Sequence, residues 1–185
     1  MSNTPFGIRT NGRISEDYII DDNDAETEKY NIPVLYMSGT YGYFRYTTID
    51  YVERNVDIVP EYKIICGQQF NKNRTVLTNI KGLAPNQVCT SSYGVVYHSR
   101  DKEEAYYAYK YINSRLFRYL VYCAIETMST ISPSRFKLVP NQNFTSSSDI
   151  DWSQSISDID QQLYKKYGLT QEEIDYIEKT IKPME

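Results

Sequence analysis

Residues 88–140, VCTSSYGVVYHSRDKEEAYYAYKYINSRLFRYLVYCAIETMSTISPSRFKLVP, carry the strongest patterning of apolar and polar positions in the chain. Residues 91–98 mix Tyr and Val, which suit a half-buried pleated surface, and the polar residues 99–102 end that strand in a turn. Across residues 103–128, Tyr107, Ile112, Leu116, Tyr119, Leu120, Cys123 and Ala124 recur at helical spacing and share one side of a helix. Asn113 and Ser114 interrupt the run with two good N-capping side chains, which predicts a kink or the start of a second helix. The polar residues 127–134, with Pro133, end the helical pattern, and residues 135–139 alternate like a strand. Together these features predict a strand–helix–strand unit, with sheet and loops before it and a helical tail after it.

The N-terminal part reads as strands. Residues 32–37 and 42–47 alternate aliphatic and aromatic side chains around Ser38-Gly39-Thr40, which predicts a hairpin. Residues 49–59 are helical or irregular, residues 62–66 form a buried strand, residues 76–80 a shorter one, and KGLAPN at 81–86 a turn. In the tail, a helix is expected from Ser157 through Lys166, with Ile159 and Leu163 on one face. Gly168 stands where a left-handed cap is wanted. Thr170-Gln171-Glu172-Glu173 has the spacing of a capping box for a last helix over 171–181, closed by Pro183. The expected class is α+β: a mixed, largely antiparallel sheet, a long central helix or helix pair, and a C-terminal helical hairpin. Residues 1–150 are expected to form the main domain, with 151–185 a helical tail packed on it.

At 185 residues the chain is about one domain long and can bury a sizeable core. It has no apolar run of bilayer length and no apolar signal core after MSNTPFGIRTNGR, so a cytoplasmic protein with no membrane partner is expected. Cys66, Cys89 and Cys123 are widely spaced and odd in number, which favours buried reduced thiols over zinc or a disulfide framework. The net charge of −4 is unevenly spread. Residues 1–32 carry three Lys/Arg against seven Asp/Glu, residues 33–130 eleven against eight, and residues 131–185 six against nine. A nucleic-acid partner needs a local basic face rather than a basic total, and only the middle of this chain has a positive excess.

Candidate chemistry concentrates in that middle. Gln68, Gln69, Asn71, Lys72, Asn73 and Arg74 form a run of long polar side chains after an apolar strand. Gln and Asn can read adenine bidentately, and Arg or Lys can read guanine, in the major groove. Tyr43 and Arg45 share a strand face with Tyr41, where aromatics can stack on bases and Arg can meet phosphate. The same residues serve equally well in a mixed core and surface role. Ser92 can bond phosphate or neighbouring backbone. The acidic run EDYIIDDNDAETEK within residues 15–29 reads as a solvated loop. Asp50 with Glu61-Tyr62-Lys63 has a spacing compatible with two metal-binding carboxylates and a lysine, but the pattern is short and Lys63 belongs to an ordinary strand. His98, the single histidine, fits an exposed strand position, and no Gly-rich phosphate loop or internal repeat is visible.

Four segments, CTSSY, KYINSRLFRYLVY, RFKLVPNQNF and IDWSQSISDIDQQLYKKYGLTQEEIDYIEKTIKPM, resemble the C-terminal region of adenine-specific DNA methyltransferases of type II restriction-modification systems. PFGIRTNGR is similar to a segment opening their target-recognition region, which leaves roughly residues 14–86 as the divergent part. The resemblance implies a specificity domain that reads double-stranded DNA, with Arg9 on phosphate or a loop, and Arg135 in a polar segment near the DNA. Catalysis in such enzymes needs a Gly-rich S-adenosylmethionine segment and an Asn/Asp-Pro-Pro-aromatic motif that holds the flipped base. Neither occurs here, since Asn3-Thr4-Pro5-Phe6 lacks one proline. The expectation is therefore recognition without catalysis and no cofactor in this chain, with S-adenosylmethionine bound by a separate catalytic domain or subunit of a methyltransferase. The competing expectation is a regulatory module of the same fold that docks on a methyltransferase or nuclease without binding DNA.

Overall fold

A computed structural model of the chain describes residues 4–9, 29–38, 41–70, 75–125, 129–130 and 132–184. The fold is α+β, as expected. Strands β1 (Ile32–Ser38) and β2 (Tyr41–Thr47) form the expected hairpin arms, in antiparallel register from Ile32↔Thr47 to Ser38↔Tyr41. Strands β3 (Tyr62–Gly67), β4 (Gln69–Phe70), β5 (Lys81–Leu83), β6 (Val88–Cys89) and β7 (Tyr93–Ser99) follow. Helices α1 (Lys102–Asn113) and α2 (Arg115–Cys123) lead to β8 (Ser129–Thr130), and α3 (Ile156–Lys166) and α4 (Gln171–Thr180) close the chain. Among the described residues the sheets run β2–β1–β6, β5–β3–β7 and β4–β8, with β1 and β6 parallel and the other pairs antiparallel. No helix among these residues is long and apolar enough to cross a membrane.

Strand β3 separates two apolar cores. Its Ile64 and Cys66 pack with Ala108, Ile112, Phe117, Leu163 and Ile177 of the helices. Ile65 turns the other way, towards Val34, Leu35, Val88 and Tyr93. A strand buried on both faces reads as a continuous apolar run rather than an alternating one, which is why YKIIC was legible as a strand. Lys63 joins it at 0 % exposure. Its Nζ donates to the carbonyls of Ile58, Val59 and Glu61 at 3.2, 2.8 and 2.5 Å, closing the end of the short 3₁₀ turn Val56–Ile58.

The helix pair breaks at the expected place. Ser114 caps α2 by accepting from Phe117 N, and Asp101 caps α1 through Glu103 N and Glu104 N. In the tail Gly168 takes φ +64°, and Thr170 with Glu173 forms the complete capping box. Helix α3 begins at Ile156 behind Ser155, not at Ser157, because the Ser155 hydroxyl is the one that accepts from Asp158 N.

Two expected strands are absent. Residues 135–139 do not alternate across a sheet: Pro133–Phe136 is a 3₁₀ turn, with Pro133 pre-setting its first residue, and Val139 N returns to Phe136 O at 2.9 Å. The strand–helix–strand unit therefore lacks its returning strand, and the chain instead pairs β8 with β4. Residues 76–80 are irregular, with Val76 at φ +63° and Asn79 at φ +51°. Val76 and Leu77 are both buried in the helical core. Two consecutive inward side chains are incompatible with the period of two that a strand imposes.

Candidate nucleic-acid interface

Strand β3 ends in a close approach. Gly67 N donates to Thr78 O at 2.8 Å, and a β-carbon on Gly67 would stand 2.8 Å from Thr78 Oγ1, so a larger residue here must displace that hydroxyl. The next residue crosses to β7: Gln68 N donates to Ser92 O at 2.9 Å, and Gln68 Nε2 reaches Tyr93 O at 3.3 Å. Gln69 then pairs with Thr130 and Phe70 with Ser129. The β4–β8 ladder thus sets the base of the polar run at 68–74 beside the base of the polar segment at 127–135. Ser91 N donates to Ile8 O at 2.8 Å, which brings the exposed Arg9 next to this corner.

The β1–β2 hairpin reaches the same end of the molecule through Asn79, whose Nδ2 lies 3.8 Å from Met37 Sδ. Tyr43 is 48 % exposed and stacks on Tyr36, with ring centroids 5.6 Å apart at 23°. The Arg45 guanidinium lies 5.7 Å from the Tyr36 ring centre, a cation–π arrangement. Burial pushes the Tyr36 hydroxyl above its ordinary pKa, against the pull of the Arg45 charge.

The structure divides the expected site residues. Arg9, Gln69 and Ser92 gather at one corner, and Tyr43 and Arg45 share a face of β2. Gln68 is occupied within the chain by the Tyr93 carbonyl, and Arg135 donates from Nη1 to Ala124 O at 2.9 Å at the end of α2. Each of these contacts takes up one donor of its side chain. Asn71, Lys72, Asn73 and Arg74 lie outside the described residues. Lys81, taken in the sequence as part of a turn, belongs instead to strand β5. Its Nζ comes within 3.1 Å of where a β-carbon would stand on Gly42, on the face of β2 opposite Tyr43 and Arg45. Only the pairing of β5 with β3, Ile65↔Lys81, aims it that way.

The metal-site alternative loses its lysine, since Lys63 is buried against three carbonyls. Glu61 accepts from His98 Nδ1 at 2.6 Å and from Arg100 Nε at 3.3 Å. The hydrogen bond from His98 is the main cause of its lowered pKa. Among the described residues no group of three His, Cys, Asp or Glu side chains could hold a metal ion. His98 is an exposed strand residue, as expected, and Cys66 and Cys89 are buried free thiols whose pKa burial raises, while Cys123 is exposed. Compared with known proteins, the chain matches no family model, no curated protein and no solved structure.

Proposed function

We propose that the chain is a DNA target-recognition module of the kind found in restriction-modification adenine methyltransferases, reading duplex DNA while a separate domain or subunit carries S-adenosylmethionine and the chemistry. The observation that supports this reading is the β4–β8 ladder, which brings the bases of two polar segments, far apart in sequence, to one corner beside Arg9 and Ser92. In this reading Gln69, Asn71, Lys72, Asn73 and Arg74 reach base edges, where amide and guanidinium groups discriminate adenine and guanine. Arg9, Arg45 and Ser92 meet phosphate and set the register on the duplex. Tyr43 offers a flat apolar surface to the sugar–phosphate edge or to an unstacked base.

The test is selection from a randomised duplex pool by the purified chain at low and moderate salt, followed by sequencing of the bound fraction. An enriched motif whose affinity falls as salt rises is the expected result. Replacing Lys72 and Arg74 together by Ala should abolish the motif while the circular dichroism spectrum stays unchanged. Absence of binding at low salt would overturn the stand-alone reader and favour the regulatory module that docks on another protein.

A further inference from the structure

Between β5 and α1 lies an open groove of about 590 Å³ that the DNA-reading corner does not use. Its floor is apolar, made by Ile64, Ile80, Leu83 and Ala105, and Tyr106 and Tyr109 form its wall. That wall is organised in advance: the two rings stack at 6.5 Å and 9°, and Lys110 Nζ sits 5.0 Å from the Tyr106 ring centre. Tyr106 is nonetheless 55 % exposed. Gly82 opens onto the same space. It pairs with Ile64, and a β-carbon there would meet only Ile64 Cδ1, at 3.9 Å.

Strand β5 is the outer member of its sheet among the described residues, and Gly82 at its centre is exposed. An outer strand presents unpaired backbone N–H and C=O groups, which only another extended chain satisfies in register. Residues alternating along such a chain would place every second side chain in the groove. The lining contains Lys63, Lys81 and Lys102 and no carboxylate, so acidic flanks on the incoming segment are favoured, although Lys63 is taken up by three buried carbonyls. Lys81 turns its ammonium towards β2, which leaves Lys102, exposed at the first turn of α1, as the cation at the rim.

We propose that β5 and the groove beside it form a docking site for an extended peptide segment of a partner protein, added as a fourth strand on β5. The segment carries alternating apolar residues and an acidic residue placed against Lys102. This site is independent of DNA binding and stands or falls without it.

The probe is a pool of short synthetic peptides with alternating Val, Thr and Tyr centres and aspartate ends, followed by fluorescence anisotropy against the full chain. Gly82→Leu fills the groove where there is room for it, and the thermal transition of that variant checks that the fold is intact. It should weaken binding about tenfold or more, because the alternate side chains lose their space. Methylating the peptide amides that face β5 should abolish binding. Lys102→Glu should weaken aspartate-ended peptides and strengthen lysine-ended ones, and Lys102→Arg should behave as the parent. Failure of every peptide to bind the parent chain would overturn the proposal. So would binding that survives both Gly82→Leu and amide methylation.

Discussion

Lys110, Arg118 and Asp160 are buried where helices meet, whereas Lys63 is the one charged side chain, among the described residues, buried beside the sheets. The contrast follows from where each kind of element leaves backbone groups unpaired. A sheet interior pairs its own N–H and C=O groups, while every helix end leaves about four groups without an internal partner. Short helices abutting one another bury those ends, and long polar side chains must reach them. Lys110 Nζ does the same for the loop just ahead of α3, donating to the carbonyls of Trp152, Ser153 and Gln154 at 3.0, 2.9 and 2.8 Å. Arg118 donates to Asn113 O, Ser114 O and Lys182 O, and more distantly to Thr75 O at 3.5 Å. Asp160 accepts from Arg115 N and Leu116 N and so caps α2 from another helix. The helical half is a scaffold locked by polar groups. The sheet half is held by its ladders and core, and it leaves Tyr43 and Phe44 exposed, as the helices leave Tyr106 and Tyr176.

The largest expected effect that would break this contrast is at Arg118. Arg118→Met should cost roughly 3–5 kcal/mol, because it strands buried carbonyls and removes one of the two cations beside Asp160, leaving Arg115. Urea unfolding measures it, and a loss below about 1 kcal/mol would mean that water reaches those carbonyls.

Next comes pH. Burial raises the Asp160 pKa to about 6, despite two backbone N–H donors and the charges of Arg115 and Arg118. Its folded value thus lies above its unfolded one, so this group's contribution to stability is full below the ordinary carboxyl range and is lost as pH rises through about 6. Burial lowers Lys63 to about 8. There the unfolded state holds the proton more tightly, so stability rises with pH between about 8 and the ordinary lysine value. Unfolding free energies across pH should show the low window disappear in Asp160→Asn and the high window in Lys63→Met. Each variant should leave the other window in place.

Lys110→Met should cost about 2 kcal/mol by leaving three carbonyls unpaired, against less than about 1 kcal/mol for Tyr43→Ala on the exposed sheet face. Thermal unfolding compares the two, and equal losses would dissolve the distinction between buried clasp and exposed surface. The smallest effect is expected at Arg45→Ala, about 0.5–1 kcal/mol from the lost cation–π contact with Tyr36. If DNA is the ligand, that variant should also flatten the salt dependence of binding by about one counterion.

Local punctuation was legible because its partners lie within a few residues. The break at Ser114, the αL turn at Gly168 and the Thr170–Glu173 box each depend on groups three or four positions apart. The alternation at 135–139 misled because a few residues of a 3₁₀ turn and of a strand can show the same pattern, and Pro133 decided between them. For the candidate site, residue chemistry was readable but availability was not. Gln68 and Arg135 have the side chains for base or phosphate contact, and only the fold shows that each also gives one donor to a carbonyl, at Tyr93 and Ala124.

What the sequence by itself determined are the α+β class, the helix boundaries to within a residue or two except at the end of α2, and the buried β3 strand, all products of short-range pattern and capping. Tertiary structure alone decided that β4 pairs with β8, that Val76 and Leu77 both turn inward, and that Lys63, Lys110 and Arg118 are buried. The reason is separation along the chain. Arg118 donates to a carbonyl 64 residues away and Lys110 to one 42 residues away. Whether a long cation is a surface charge or a buried clasp depends on whether the folded chain brings such a carbonyl within its reach.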